Sequence, residues 1–362
     1  MARWSVHATV DEPIEVLAAF AAHYLDLGAE EVHLCLDRPD PAIEAVLSGL
    51  PGLRLTTCDD DYWRKLSGRR PADQERRQIL NARHAFARCR SDWFFYCDAD
   101  ELAVASRPFS EILAALPFET THCRIRMTER VFKAEAEPRD IYDGVFRKGV
   151  PGDPELIARA YGAAALFLSH GLSGHALGKS FLRCGAPLEP WMHFPRPRRL
   201  GALRARLTPR VVQGPLLDEG WLVHFDGFTP LHWQLKLLRY ARARDHAFAQ
   251  EPLALRCAAR ALGRWNGASR PAYRRQTRGR EAQLVAVTDP AQRAGMLGAI
   301  RLQPDRRAAL AAGNALLGTG LNPAAAARRA LPDAGLDFSV AGFDARLRDR
   351  HADLATALAQ AA

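Results

Sequence analysis

The apolar positions change their period several times along the first hundred residues. Ile14, Leu17, Ala21, Tyr24 and Leu25 recur at helical spacing, and Gly28 supplies a stop. Residues 31–37, EVHLCLD, read as a strand, 41–48 as a short helix and 53–58, LRLTTC, as a second strand. A charged helix follows over 73–90, and then 92–98, DWFFYCD, an almost wholly apolar run. Apolar runs separated by helices predict a parallel sheet buried on both faces and joined by right-handed crossovers. Ligands of such sheets bind outside the carboxyl ends of the strands. Three acidic groups stand there: Asp37, Asp59 to Asp61, and Asp98 with Asp100 and Glu101.

From 108 to 230 the texture is mixed, with a short helix and then strands such as HCRIRM, AAALFLS, KSFLRC and WLVHFDG. Past 229 the pattern is helical, with Trp233, Leu237 and Tyr240 on one stripe, and the Ala- and Arg-rich tail from about 252 reads as several helices. Length and composition fit a globular protein, with 362 residues, 48% hydrophobic and 25% charged, and exclude a disordered chain. No apolar stretch is long enough to span a membrane, and the N-terminus has no apolar signal segment, so a cytoplasmic location is expected. The seven cysteines are scattered with no C-x-x-C pair, which argues for free thiols rather than a zinc site or a disulfide framework.

Net charge changes the picture only slightly. Fifty Lys and Arg against 41 Asp and Glu give +9, and just five of the cations are Lys: 65, 133, 148, 179 and 236. Such a balance favours polyanions without choosing among nucleic acid, anionic lipid and phosphorylated small molecules. Residues 195–210 carry six Arg and no acid, an exposed basic loop or helix.

Candidate chemistry is concentrated in Asp98-Ala-Asp100-Glu101. Carboxylates at i and i+2 on a turn leaving a strand can converge on Mg2+ or Mn2+, whose open positions take substrate phosphates. Downstream, His224 ends an apolar strand, Asp226 lies two residues on, and Lys236 and Arg239 stand one turn apart on the following helix. Lys179 follows a glycine-rich stretch, SHGLSGHALGKS, that holds His170 and His175. With three residues rather than four between Gly174 and Gly178 it lacks P-loop spacing, so it reads as a loop bringing Lys179 to a diphosphate or an anionic acceptor. His193 is a weaker candidate. A catalytic base would come from Glu129, Asp140, Asp143 or Asp153, with Glu129 and Asp143 preferred.

The run from Gln74, QERRQILNARHAFARCRSDWFFYCDADELA, resembles the DxD region of GT-A glycosyltransferases of families 2 and 92. There, a helix bearing Arg, Gln and Asn precedes an Asp-Trp strand and a D-x-D-E turn. The segment VDEPIEVLAAFAAHYLDLGAEEVHLCLD is similar to the family's N-terminal part, with Asp11-Glu12 where Asn-Glu is usual and Leu102 where Phe is commoner. The likeness covers about 5–106 well and 165–245 loosely.

This resemblance implies an α/β fold of GT-A type, a Rossmann-like, mostly parallel sheet flanked by helices, with a helical C-terminal extension. Residues 1–250 would form the transferase domain, with 1–106 as the nucleotide-binding half and 107–250 as the acceptor-side half. Residues 251–362 would be a helical accessory region. It further implies that Asp11, Glu12 and Asp37 lie beside the nucleotide, with Arg77, Gln78 and Asn81 on the neighbouring helix. Asp98 would face the ribose or the metal shell, Asp100 would ligate Mn2+ or Mg2+ directly, and His224 would complete the metal site. Lys179 and Lys236 would face diphosphate. The donor would be a UDP-sugar, or else a GDP-sugar, and the acceptor a glycan, a glycolipid or a polysaccharide precursor, with inversion of the anomeric centre. The basic surface would allow peripheral contact with an anionic membrane, on its inner face, and no specific nucleic acid is expected. The alternatives are a basic protein binding nucleic acid or an anionic surface, and a GT-A scaffold without catalysis.

Overall fold

Element starts follow local chemistry. Asp40, Asp59 and Asp73 each precede a helix and accept the exposed N–H of Ile43, Tyr62 and Arg76 at 3.2, 2.7 and 3.0 Å. The computed structural model describes residues 1–133, 138–149, 154–161, 168, 171–173, 177–198, 214–244, 301–302 and 321–360. His170, His175, Asp153, residues 199–210 of the basic run and the tail at 252–300 lie outside the described residues, as does all of the AAALFLS run except Leu168.

The elements in chain order are β1 (Trp4–Val10), α1 (Ile14–Asp26), β2 (Glu31–Leu36), α2 (Pro41–Leu47), β3 (Leu53–Thr57), α3 (Asp60–Ser67), α4 (Gln74–Phe86), β4 (Trp93–Tyr96), β5 (Glu101–Ala105), α5 (Phe109–Ala114) and β6 (His122–Lys133). After these come β7 (Val145–Lys148), α6 (Pro154–Tyr161), β8 (Lys179–Arg183), β9 (Leu188–Glu189), β10 (Arg196–Pro197), β11 (Leu216–His224), α7 (Pro230–Arg244) and β12 (Arg301–Leu302). Three C-terminal helices close the described chain: α8 (Pro323–Ala330), α9 (Val340–Arg350) and α10 (Ala352–Gln360).

The chain forms two compact units, each assembled from separate runs. One takes Met1–Arg126, Leu177–Leu222 and Leu321–Leu336, and the other Met127–Ala176, Val223–Gly320 and Asp337–Ala362. Helix α8 belongs to the first unit, and α9 and α10 to the second.

In the first unit the strand order is β3-β2-β1-β4-β8-β6-β11-β5. Pairing is parallel through β3, β2, β1 and β4, then antiparallel at β4/β8 and β8/β6. This is the expected helix-flanked, largely parallel sheet. Its order reverses between β1 and β4, the switch point beside which α/β sheets bind ligands. Strand β4 is apolar throughout because both faces are covered. Phe94 and Tyr96 pack with Ala82 and Ala85 of α4 and Leu182 of β8. On the other face Phe95 stacks on Phe181 at 4.3 Å, beside Trp4 and Phe109. Helix α1 is apolar almost all round since it packs on both the sheet and α8, a contact closed by the Arg329–Asp26 ion pair at 2.6 Å. Gly178, at φ +71°, has no room for a side chain, because a Cβ would lie 2.0 Å from the Ile125 carbonyl oxygen.

In the second unit the distal half of β6 pairs antiparallel with β7 and parallel with β12. Tyr142, Phe225, Phe228, Phe338 and Phe343 form an aromatic core. Buried Arg130 donates to the carbonyls of Asp143, Gly227 and Phe228 at 3.0, 2.7 and 2.9 Å, fixing the turn after β11. No described helix is long and apolar enough to cross a membrane.

Candidate functional site

Four strands of the first unit deliver their carboxyl ends to one side of its sheet, and most of the residues singled out in the sequence stand there. Asp37 follows β2 and is buried. Arg77 of α4 clamps it bidentately, Nε to Oδ1 at 2.8 Å and Nη2 to Oδ2 at 2.7 Å, and Arg70 adds an ion pair at 3.1 Å. Arg77 also donates to the carbonyls of Pro71 and Ala72, both at 2.9 Å, which holds the guanidinium in place. One turn on, fully buried Asn81 donates to Thr9 Oγ1 at 3.1 Å and accepts from Tyr62 at 2.7 Å, bracing α4 against β1. Asp11 follows β1 and pairs with Arg38 at 3.1 Å, with Glu12 next to it at the start of α1.

The turn after β4 is more elaborate. Gln78 Nε2 donates to Asp98 Oδ1 at 2.9 Å, and Lys179 Nζ donates to Asp98 Oδ2 at 2.8 Å. Glu101 reaches back to accept the Asp98 N–H at 2.8 Å, and it stands 3.2 Å from the same ammonium. Burial alone would depress the Lys179 pKa, but Asp98 and Glu101 outweigh it and raise the value, so the residue is a fixed cation. Asp100 is buried between them in sequence. Formally, three carboxylates against one ammonium leave the turn at −2. Among the described residues no group of three or more His, Cys, Asp or Glu is arranged around a metal position.

Beside this turn lies a small cleft of about 30 Å³ lined by His7, Thr9, Gln78, Asp98, Lys179 and Trp191. His7 stacks on Phe94, and neither of its ring nitrogens has a hydrogen-bond partner among the described residues. Burial, helped by His33 and His84, lowers its pKa to about 3, so it is a neutral ring facing the cleft. Trp191 is gripped by Arg196 at 4.0 Å and Arg83 at 5.2 Å from its ring centroid, both arginines being paired with Glu189. Sequence reasoning passed over His7 and Trp191. An alternating strand does not reveal which face meets a cleft, and the PWMHFP segment drew attention to His193 instead. His193 offers its backbone carbonyl to Ser180 at 3.1 Å.

Asp59 and Asp61 are accounted for locally. Asp59 caps α3, and Asp61 pairs with Arg64.

The remaining candidates belong to the second unit. Glu129 is buried with Arg147, Nη2 to Oε2 at 2.5 Å, and accepts the Ser173 N–H at 2.7 Å. Burial would raise its pKa, but Arg147 and the nearby His224 hold it well below the usual carboxylate range. His224 Nδ1 is 3.8 Å from Glu129 Oε1, longer than a hydrogen bond. Ser173 Oγ donates to Asp226 at 3.0 Å, and Lys236 pairs with the same carboxylate at 3.3 Å. A buried polar chain therefore runs Arg147, Glu129, Ser173, Asp226, Lys236. Asp143 is partly exposed. Burial would raise its pKa, but hydrogen bonds from the Arg139 and Gly144 N–H groups lower it. Asp140 accepts the Tyr142 N–H at 2.8 Å as a turn acid.

No protein-family model matches the sequence, and no curated protein matches it. Among solved structures, S. aureus TarS 1–349 is similar at 12% identity and a TM-score of 0.31, over 82% of this chain and 89% of that one. TarS 1–349 in complex with UDP-GlcNAc gives 11% and 0.32, and its complex with UDP gives 11% and 0.30, over the same shares of the two chains. TM-scores of this size do not establish a common fold, and the chemistry is read from the side chains alone.

Proposed function

We propose that this chain is a glycosyltransferase of GT-A type that binds a nucleotide-sugar at the carboxyl ends of β1, β2 and β4. The observation that carries the reading is the pairing of two preorganised groups at one switch point. Asp37 is held bidentately by Arg77, and the Asp98-Ala-Asp100-Glu101 turn is tied to Gln78 and Lys179. Arg77 and Gln78 are successive residues of one helix, so α4 fixes both groups at once. In this reading Asp37, with Asp11 and Glu12 just past the end of the neighbouring strand β1, meets the base and ribose. Lys179 presents positive charge to the diphosphate, and in the transition state it stabilises the departing nucleoside diphosphate. Thr9, His7 and Trp191 would line the adjoining wall.

The residues divide in their fit to a divalent cation. Asp98 is the less open ligand, since each of its oxygens already accepts one hydrogen bond, from Gln78 and from Lys179. Asp100, buried in the same turn, would hold the cation in this reading, and the formal −2 of the turn leaves a diphosphate short of positive charge. Bound there, Mg2+ or Mn2+ would supply that charge. Glu129 is poorly matched to a base, since a carboxylate locked on Arg147 has little affinity for a proton. Asp143 is the better placed of the two in exposure. The acceptor is a hydroxyl compound, a glycan or glycolipid among them, and inversion belongs to the same proposal.

Calorimetric titration of UDP, then GDP, with and without manganese, tests this on the wild type and on Asp100→Ala. Binding to the wild type is expected, and loss of its manganese-dependent part in the variant would assign the cation to Asp100. Absence of nucleotide binding under every condition would refute the transferase reading.

A further inference from the structure

A parallel sheet joined by helices is ordinarily covered on both faces, and one corner of the first unit's sheet departs from that. Strand β2 sends Val32, Leu34 and Leu36 into the core, each at most 2% exposed, and turns Glu31, His33 and Cys35 to the opposite face. The register sets His33 beside Arg54 of β3 and Cys35 beside Thr56. Helix α4 packs on β1 and β4, and Trp63 of α3 packs on Cys35 and Cys58, towards the carboxyl ends of β2 and β3. The polar amino-terminal part of this face is left as the floor of a cleft of about 1000 Å³, walled by the last turn of α4 and the segment after it.

The charged side chains of the cleft are mostly cationic. Arg54 reaches it from β3, and Arg88 and Arg90 from the segment after α4. Glu31 is the one carboxylate in the lining and is already engaged, accepting from Arg54 Nε at 2.7 Å and from His33 Nε2 at 3.0 Å. Arg88 has only neutral partners, His84 Nδ1 at 2.8 Å and the His84 carbonyl at 3.3 Å. Arg90 is held by its carbonyl, which accepts from Arg3 at 3.0 Å, and its guanidinium has no hydrogen bond or ion pair among the described residues. Burial lowers the pKa of both His33 and His84, so the two imidazoles are neutral near pH 7. Three guanidinium groups against one carboxylate leave the cleft formally at +2, and two of the three face no carboxylate.

We propose that this cleft is an anion site separate from the donor site, and that it takes a soluble molecule carrying two or more phosphate groups. A guanidinium presents a planar fork that matches phosphate oxygens, and Arg88 and Arg90 offer two such forks over a space much larger than one phosphate. The floor is recessed, with Asn81 0% and Cys35 5% exposed, which suits a molecule that enters rather than a flat bilayer. No Phe, Tyr or Trp lines it, so it has no platform for the stacked bases of a single-stranded nucleic acid. Glu31 opens β2 and Asp37 follows it, which at 3.3 Å per residue separates the two sites by about 20 Å. The occupant would nonetheless lie against α4, whose Asn81 lines the cleft and whose Arg77 and Gln78 hold Asp37 and Asp98.

The test is calorimetric titration of the whole chain with inorganic tripolyphosphate, near pH 7, at low salt and with EDTA present. Saturable binding is expected, weakened at least about tenfold in Arg88→Ala/Arg90→Ala. Arg90→Glu, at a guanidinium with no partner to lose, should weaken it in the same direction. Arg107→Ala/Arg329→Ala removes the same charge from exposed positions elsewhere and should bind as the wild type does. Lys179→Met should also bind at wild-type strength, and thermal unfolding shows that each variant is folded. Vesicles containing a phosphoinositide should not displace the tripolyphosphate. Four results overturn the proposal: no saturable binding, equal weakening in the two double variants, loss of binding in Lys179→Met, or displacement by the vesicles. None of them touches the transferase reading, which rests on nucleotide binding with manganese.

Discussion

Each unit contains a carboxylate matched with a basic side chain, and the two pairs differ in what surrounds them. In the first unit Asp98, 40% exposed, meets Lys179 at the edge of an open cleft. In the second, Glu129 and Arg147 are each 1% exposed. In the first pair the carboxylate is open to solvent although the Lys179 side chain is only 4% exposed, while the enclosed pair exchanges charge only with its own neighbours. A strongly shifted carboxylate is therefore a poor guide to chemistry unless solvent reaches it. Glu129 is the shifted group, whereas Asp98 has the better position.

The largest effect should come from breaking the enclosed pair. Arg147→Met leaves Glu129 buried without its guanidinium, and urea denaturation should show a loss of about 3–5 kcal/mol. Adding Glu129→Gln should restore part of it, and full stability in the single variant would erase the contrast between the two pairs.

Next comes pH. The folded His7 is held at about 3 while the unfolded ring titrates near 6.5, so the unfolded chain binds the extra proton in between. This contribution is intact above the unfolded value and is lost as pH falls from about 6.5 towards 3, by roughly 1.4 kcal/mol per pH unit. His7→Leu should flatten the stability profile over that window, and an unchanged profile would mean that the ring charges in the fold. Glu129, depressed in its own pair, adds a separate loss at lower pH, as the medium falls below the ordinary carboxylate range.

Lys179→Met should sharpen the comparison from the other side. Nucleotide affinity by calorimetry should fall about tenfold, near 1.4 kcal/mol, whereas Arg147→Met, where it still folds, should leave affinity close to the wild type. The smallest effect belongs to Asp73→Ala, which removes the cap of the helix carrying Arg77 and Gln78. Thermal unfolding should register about 1 kcal/mol.

Much of the first unit was legible before any coordinates. Its strands end where the apolar runs end, and the capping aspartates precede their helices. The segment after β3 was harder to read, because α3 is short and mostly charged, with Trp63 as its one buried side chain. The strand β5 was hidden inside the DADE motif, where Glu101 reads as a turn acid although it opens a strand. His7 and Trp191 were not legible as cleft residues, since one sits mid-strand and the other in an irregular segment between β9 and β10.

The local pattern, then, determined what depends on neighbours in sequence: the helix and strand periods, the caps, the apolar β4 and the acidic turn behind it. Tertiary structure decided what depends on residues far apart in the chain. It put Lys179 on Asp98 across 81 positions and Arg77 on Asp37 across 40, and it sealed Glu129 against Arg147. The reason is physical. Hydrophobic period and capping act over a few residues, whereas a carboxylate's partners and its access to water are set by which strands become neighbours in the sheet.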